Sequence, residues 1–171
     1  MVHDDRTLQE RANRLGEAMQ RQGLSLAVAE SCTGGLLAKI LTDGGGASAW
    51  FERGLVVYSN AAKQELAGVP SRLIERHGAV SQEVAEALAL GVLGRAPVTH
   101  SVAVTGVAGP DGGTVAKPVG SVWIAWGAPA GVEARLYRFP GDRDAVRRAS
   151  VATALEGLLD LCRESAGTTE P

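Results

Sequence analysis

Apolar positions change period several times along the chain, and each change marks a new element. Leu8, Ala12, Leu15 and Met19 recur at helical spacing and share one face of a helix over residues 5–22, which Gly23 stops. The apolar run from Leu24 to Ala29 predicts a short buried strand. The turn Ser31-Cys32-Thr33-Gly34-Gly35 leads out of it into an amphipathic helix from Leu36, which ends before Asp43-Gly44-Gly45-Gly46. Trp50 to Ser59 is rich in β-formers and predicts a second strand with Tyr58 at its end. Asn60 then caps a short helix that carries Lys63 in its first turn. A brief helix runs from Ser71 to His77, and Ser81 caps another to about Leu93, with Val84, Leu88, Gly91 and Val92 on one face. Thr99 to Val104 is a third strand. Val119–Trp126 and Val132–Phe139 predict a hairpin around Gly127 to Gly131. Asp142 caps a last helix to about Glu164, whose apolar stripe is Ala145, Ala149, Ala152, Leu155, Leu159 and Cys162. Strands alternating with helices, interrupted by a hairpin, require a mixed sheet with at least one antiparallel strand.

Composition narrows the function classes. A chain of 171 residues is expected to form one domain, over residues 1–165, with a polar, disordered tail at 166–171. The formal net charge is −2 and the basic residues are scattered, so no nucleic-acid partner is expected. No apolar run reaches bilayer length and the first residues are polar, so neither a membrane partner nor a secretion signal is expected, and the cytoplasm is the expected location. Cys32 and Cys162 form no CxxC pair and are expected to be free thiols, with Cys162 in the core. His3, His77 and His100 lie in unrelated contexts without ligand spacing, so no metal is expected. The strand edges and the Trp50-Phe51 region suggest a homo-oligomer.

Candidate chemistry gathers at two glycine-rich loops, each following a strand. One is Ser31 to Gly35; the other is Thr105 to Thr114, with Gly106, Gly109, Gly112 and Gly113. If their strands are parallel neighbours, the loops meet at the carboxyl edge of the sheet, where open α/β sheets bind ligands. The first turn aims the opening N–H groups of a helix at that edge, where they could hold a phosphate or an oxyanion. The commoner use of Ser31 or Thr33 is a helix cap. Lys63 is unusual near a helix N-terminus, where the dipole disfavours a cation and lowers its pKa, as a basic lysine needs; a surface lysine is the plainer alternative. Arg143, Arg147 and Arg148 open the last helix, within reach either of a phosphate at the sheet edge or of Asp142 and Asp144.

Four segments occur together and in order: Ala29-Glu30-Ser31-Cys32-Thr33-Gly34-Gly35; Gly54 through Lys63; His77-Gly78-Ala79-Val80-Ser81; and Thr105 through Thr114 with Lys117-Pro118-Val119-Gly120. This set resembles the CinA C-terminal domain family over nearly the whole chain, in its stand-alone amidase form. The resemblance implies a three-layer α/β/α sandwich with a mixed, mostly parallel sheet. It implies hydrolysis of nicotinamide mononucleotide to nicotinate mononucleotide and ammonia, a pyridine-nucleotide salvage step, with no cofactor. The family's nucleophile falls on Ser31, with Tyr58, Lys63 and Thr105 as the other catalytic positions. Lys63 is then the candidate base for Ser31, and Tyr58 orients it or relays its proton. Substrate contacts are expected at Cys32, Thr33, Gly34 and Gly35, with the backbone from Cys32 to Gly34 meeting the oxyanion. Gly106, Gly109, Gly112 and Gly113 are expected along the ribose or phosphate, and Arg143 as phosphate clamp. Cys32 is the rival nucleophile. A non-catalytic nucleotide-binding or regulatory module, related to competence- or damage-inducible proteins, is the alternative function.

Overall fold

Alternation between large and small side chains along the central strand decides which helices lie on which side. A computed structural model describes residues 3–167 of the chain. Its five strands are β1 (Leu26–Glu30), β2 (Phe51–Val56), β3 (His100–Gly106), β4 (Ser121–Ala128) and β5 (Gly131–Arg138), in the spatial order β2-β1-β3-β4-β5. β1 pairs in parallel with β2 and β3, whereas β4 is antiparallel to both β3 and β5. All five β1 residues are buried. Leu26 and Val28 point into one core with Val102, Val104, Val122 and Ile124, while Ala27 and Ala29 point into the other with Ala103 and Ala125. The large-residue face carries the helices α1 (Asp5–Gln22), α2 (Leu36–Thr42) and α6 (Arg143–Gly167). The alanine face lets α3 (Asn60–Ala67), α4 (Ser71–His77) and α5 (Gln82–Leu93) approach closely. The result is the three-layer α/β/α sandwich, with a mixed sheet whose hairpin supplies the antiparallel strand.

Several local expectations are corrected. α2 has Gly35 at its N-cap, at φ 94°, and no side-chain cap there, so neither Ser31 nor Thr33 caps it. The cap of α3 is Ser59, whose hydroxyl accepts from Ala62 N at 3.0 Å; Asn60 is the first helical residue. Trp50 is buried against Gly16 rather than displayed for self-association. The buried stripe of α6 keeps Ala152, Leu155, Leu159 and Cys162, leaves Ala145 and Ala149 only partly buried, and adds Val146, Ser150, Val151, Ala154 and Leu158, because this helix packs on both α1 and the sheet. α6 continues past Glu164 to Gly167, and residues 168–171 of the expected tail lie outside the described residues. No helix among the described residues is long and apolar enough to cross a membrane.

Candidate active site

Register brings the first two motifs and the third strand to one edge. Glu30 at the end of β1 pairs with Val104 and Val56, so the residues that follow all three strands are neighbours. Ser31 N donates to Val104 O at 2.9 Å, and Val57 N donates to Glu30 O at 2.7 Å. From the far side, α3 points Lys63 back beneath this edge. The lysine is 1% exposed, and its Nζ lies 3.0 Å from Ser31 Oγ, 2.8 Å from Val57 O and 2.9 Å from Tyr58 O. Burial pushes its pKa below the usual lysine value, opposed by a smaller contribution from Cys32. All three neighbours of Nζ can accept from it, Ser31 Oγ among them; once the amine is neutral, the two carbonyls keep its N–H groups and its lone pair faces the Ser31 hydroxyl. Ser31 itself is 8% exposed.

The backbone after Ser31 is closed by a residue the sequence reading passed over. Glu30 is fully buried, and its carboxylate accepts from Gly35 N at 3.0 Å, Leu37 N at 3.0 Å and Ala38 N at 2.8 Å. Gly34 N donates to Ser31 O and Leu36 N to Thr33 O, each at 3.1 Å. Every N–H from Gly34 to Ala38 is therefore taken, while those of Cys32 and Thr33 are bonded to no other residue among the described residues. The expected oxyanion donor at Gly34 is thus already occupied, as is the N–H of Gly35, and the positive end of α2 is met by the Glu30 carboxylate. Thr33 Oγ1, fully buried, has no hydrogen-bond partner.

Two arginines on α6 tie the loops together. Arg147 places Nε at 3.2 Å and Nη2 at 2.7 Å from Thr33 O. Arg143 donates to Gly109 O at 2.7 Å and to the Tyr58 hydroxyl at 3.3 Å. Arg148 instead pairs with Asp144 and Asp5. Tyr58 reaches Lys63 through its carbonyl, while its ring is 61% exposed and turned to Arg143. Thr105 is buried beside this edge, with its hydroxyl donating to Ala79 O at 2.8 Å rather than to Ser31 or Lys63. In the second loop Gly109 sits at φ 84° before a cis bond to Pro110, and a Cβ there would lie 2.6 Å from Val119 Cγ1. Gly106 and Gly113 are held equally close, against Val122 and Val119, and Gly112 has φ 86°. Cys32 is 5% exposed and burial pushes its thiol up to about 12, which leaves it a poor thiolate. Among the described residues no three His, Cys, Asp or Glu side chains gather as a metal site. Glu30 was the group sequence reasoning missed, and its signal was an acidic residue closing an otherwise apolar strand; Arg147 was expected at a phosphate or at Asp142 and Asp144, whereas it donates to Thr33 O.

Comparison with known proteins identifies the fold and the relatives of the chain. The family model described as the CinA C-terminal domain matches residues 8–162. The chain is 52% identical over 153 residues to nicotinamide-nucleotide amidohydrolase PncC of Pseudomonas putida, covering 90% of this chain and 96% of the relative. It is 46% identical over 155 residues to the protein of the same name from Escherichia coli K12, covering 90% and 94%. A crystal structure of competence/damage inducible protein CihA from Agrobacterium tumefaciens superposes with a TM-score of 0.89 at 42% identity, covering 94% of this chain and 98% of that one.

Proposed function

The chain belongs to the CinA C-terminal domain family, and from that premise we propose that it is a nicotinamide-nucleotide amidase acting through a Ser31/Lys63 pair. It hydrolyses the carboxamide of nicotinamide mononucleotide, giving nicotinate mononucleotide and ammonia. The observation that carries this reading is the buried Lys63 amine 3.0 Å from Ser31 Oγ with two carbonyls as its other partners. The names of the relatives supply the substrate class.

The chemistry follows from those groups. A carboxamide is a weak electrophile and amide ion a poor leaving group, so both attack and departure need proton transfer. Neutral Lys63 takes the Ser31 proton as Oγ bonds to the carboxamide carbon. The carbonyl oxygen gains the charge and is met by the free N–H groups of Cys32 and Thr33. Lys63 then returns the proton to nitrogen, the C–N bond breaks and ammonia leaves, with nicotinate mononucleotide held as an ester on Ser31. Lys63 next takes a proton from water, which attacks the ester carbon, and gives it to Ser31 Oγ as that bond breaks. Tyr58 serves the lysine through its carbonyl, and Thr105 acts indirectly by holding Ala79. Arg143, with the glycines of the second loop, is the proposed phosphate clamp; its guanidinium keeps further N–H groups beyond the two engaged in the loop.

Incubation of the purified protein with nicotinamide mononucleotide in the presence of a chelator tests this. Equal release of ammonia and nicotinate mononucleotide is expected. Binding of the nucleotide without release would replace the amidase with a regulatory pocket.

A further inference from the structure

Glu30 carries a charge that the mechanism above leaves without a task. It is fully buried at the last position of β1, directly before Ser31, and no ion pair joins it to a cation among the described residues. A buried carboxylate is costly unless hydrogen bonds meet it. Here three N–H groups do so, and all three belong to the start of α2. An ordinary N-cap would sit next to the helix and could be exposed. This one reaches from the strand, across Ser31 to Gly34, and closes them into a ring. The ring leaves the N–H groups of Cys32 and Thr33 as the open donors. Arg147 grips the same turn from outside at Thr33 O. The main chain of Glu30 also supports the base, since Glu30 O holds Val57 N while Val57 O holds Lys63 Nζ.

We propose that Glu30 is a positioning residue for the amidase reaction: its carboxylate fixes the Ser31–Gly34 turn so that the Cys32 and Thr33 N–H groups meet the oxygen of the carbonyl that Ser31 attacks. The inference rests on the Ser31 acyl-enzyme reading. A mere helix cap predicts that loss of the carboxylate costs stability and nothing more. A positioning role predicts that the transition state suffers while substrate binding does not, because ground-state contacts to the nucleotide lie elsewhere.

Glu30→Gln separates the two. The amide retains one acceptor oxygen but turns an NH2 toward an N–H donor, so the ring cannot close as before. Two rates are read on folded protein, with circular dichroism and Tm as the check on folding. One is turnover of nicotinamide mononucleotide. The other is labelling of Ser31 by a fluorophosphonate, followed by mass spectrometry: Oγ bonds to phosphorus, fluoride leaves and the serine proton passes to Lys63. The expected result is a kcat about 100-fold lower with KM changed by less than about threefold, and labelling slowed by a similar factor. Wild-type kcat and labelling rate in a variant with only a lower Tm would overturn the proposal. If Glu30→Gln does not fold, Glu30→Asp keeps the charge on a shorter arm and is judged by the same two rates. A wild-type protein labelled at Ser31 that releases no ammonia would remove the substrate reading, and the labelling comparison would still decide Glu30. A wild-type protein that does neither would overturn both.

Discussion

Lys63 shows how burial turns a common surface residue into a candidate base. In sequence it is one lysine near the start of a short helix. In the fold its amine is withdrawn from water, and that desolvation shifts it toward the neutral form. Activity of the free enzyme is therefore expected to rise with pH along a limb whose midpoint lies below the ordinary lysine value of 10.5. Lys63→Arg, which cannot lose its proton at working pH, is expected to lower kcat/KM by at least about 100-fold at every pH. A pH profile of wild type and variant checks this; a variant retaining the same limb would assign that titration to another group. The direction expected from sequence holds, but its cause in the fold is desolvation rather than the helix dipole. No pattern along the chain could reveal it, since the amine is buried by residues that follow β1 and β2, brought together only when the sheet forms.

At the scale of elements, the placement of Lys63 depends on how closely α3 can lie against α5. Gly91 on α5 makes that contact: a Cβ there would fall 1.8 Å from Ala67 O at the end of α3. Gly91→Ala must push α3 outward, with an expected cost of about 1–3 kcal/mol from overpacking. It is also expected to lower kcat, because a shift of about 1 Å at Lys63 is enough to slow proton transfer from Ser31. Chemical denaturation together with steady-state kinetics measures both; unchanged kinetics would mean that α3 keeps its position. The helical face containing Gly91 was legible from spacing, as were the helices, the positions of the first three strands and the hairpin. What spacing could not supply was the role of the missing side chain, which exists only once α3 is packed there. The cap of α2 was illegible for a similar reason. Sequence rules look for Ser, Thr, Asp or Asn beside the helix, whereas the acceptor comes from Glu30 at the end of a strand.

Across the whole molecule, the sandwich holds a second buried titratable group in its sheet. His100 opens β3 with 1% exposure; Nδ1 is 2.8 Å from Thr99 Oγ1 and Nε2 has no partner. Burial lowers its pKa from 6.5, so the unfolded chain binds a proton that the folded one refuses between the depressed value and 6.5. Lys63 has the same sign in its own window, which extends up to 10.5. Both groups make folding less stable as pH falls. The melting temperature is expected to decline below pH 6.5, and His100→Asn to flatten the decline; an equal slope in the variant would place its origin in the carboxylates. Strand order was not legible from the chain, because pairing of β1 between β2 and β3 is a property of the assembled sheet. That order is what turns separate motifs into one site, carrying Ser31 to Lys63 and setting Thr105 beside them.

Ammonia release from nicotinamide mononucleotide by wild-type, Ser31→Ala and Cys32→Ala proteins, compared side by side at equal folded concentration, is the decisive measurement. Removal of the Ser31 hydroxyl is expected to abolish release, by about 10⁴-fold or more, while Cys32→Ala keeps most of it. Full turnover by Ser31→Ala, with loss in Cys32→Ala, would contradict the Ser31/Lys63 mechanism and transfer the nucleophile to the thiol.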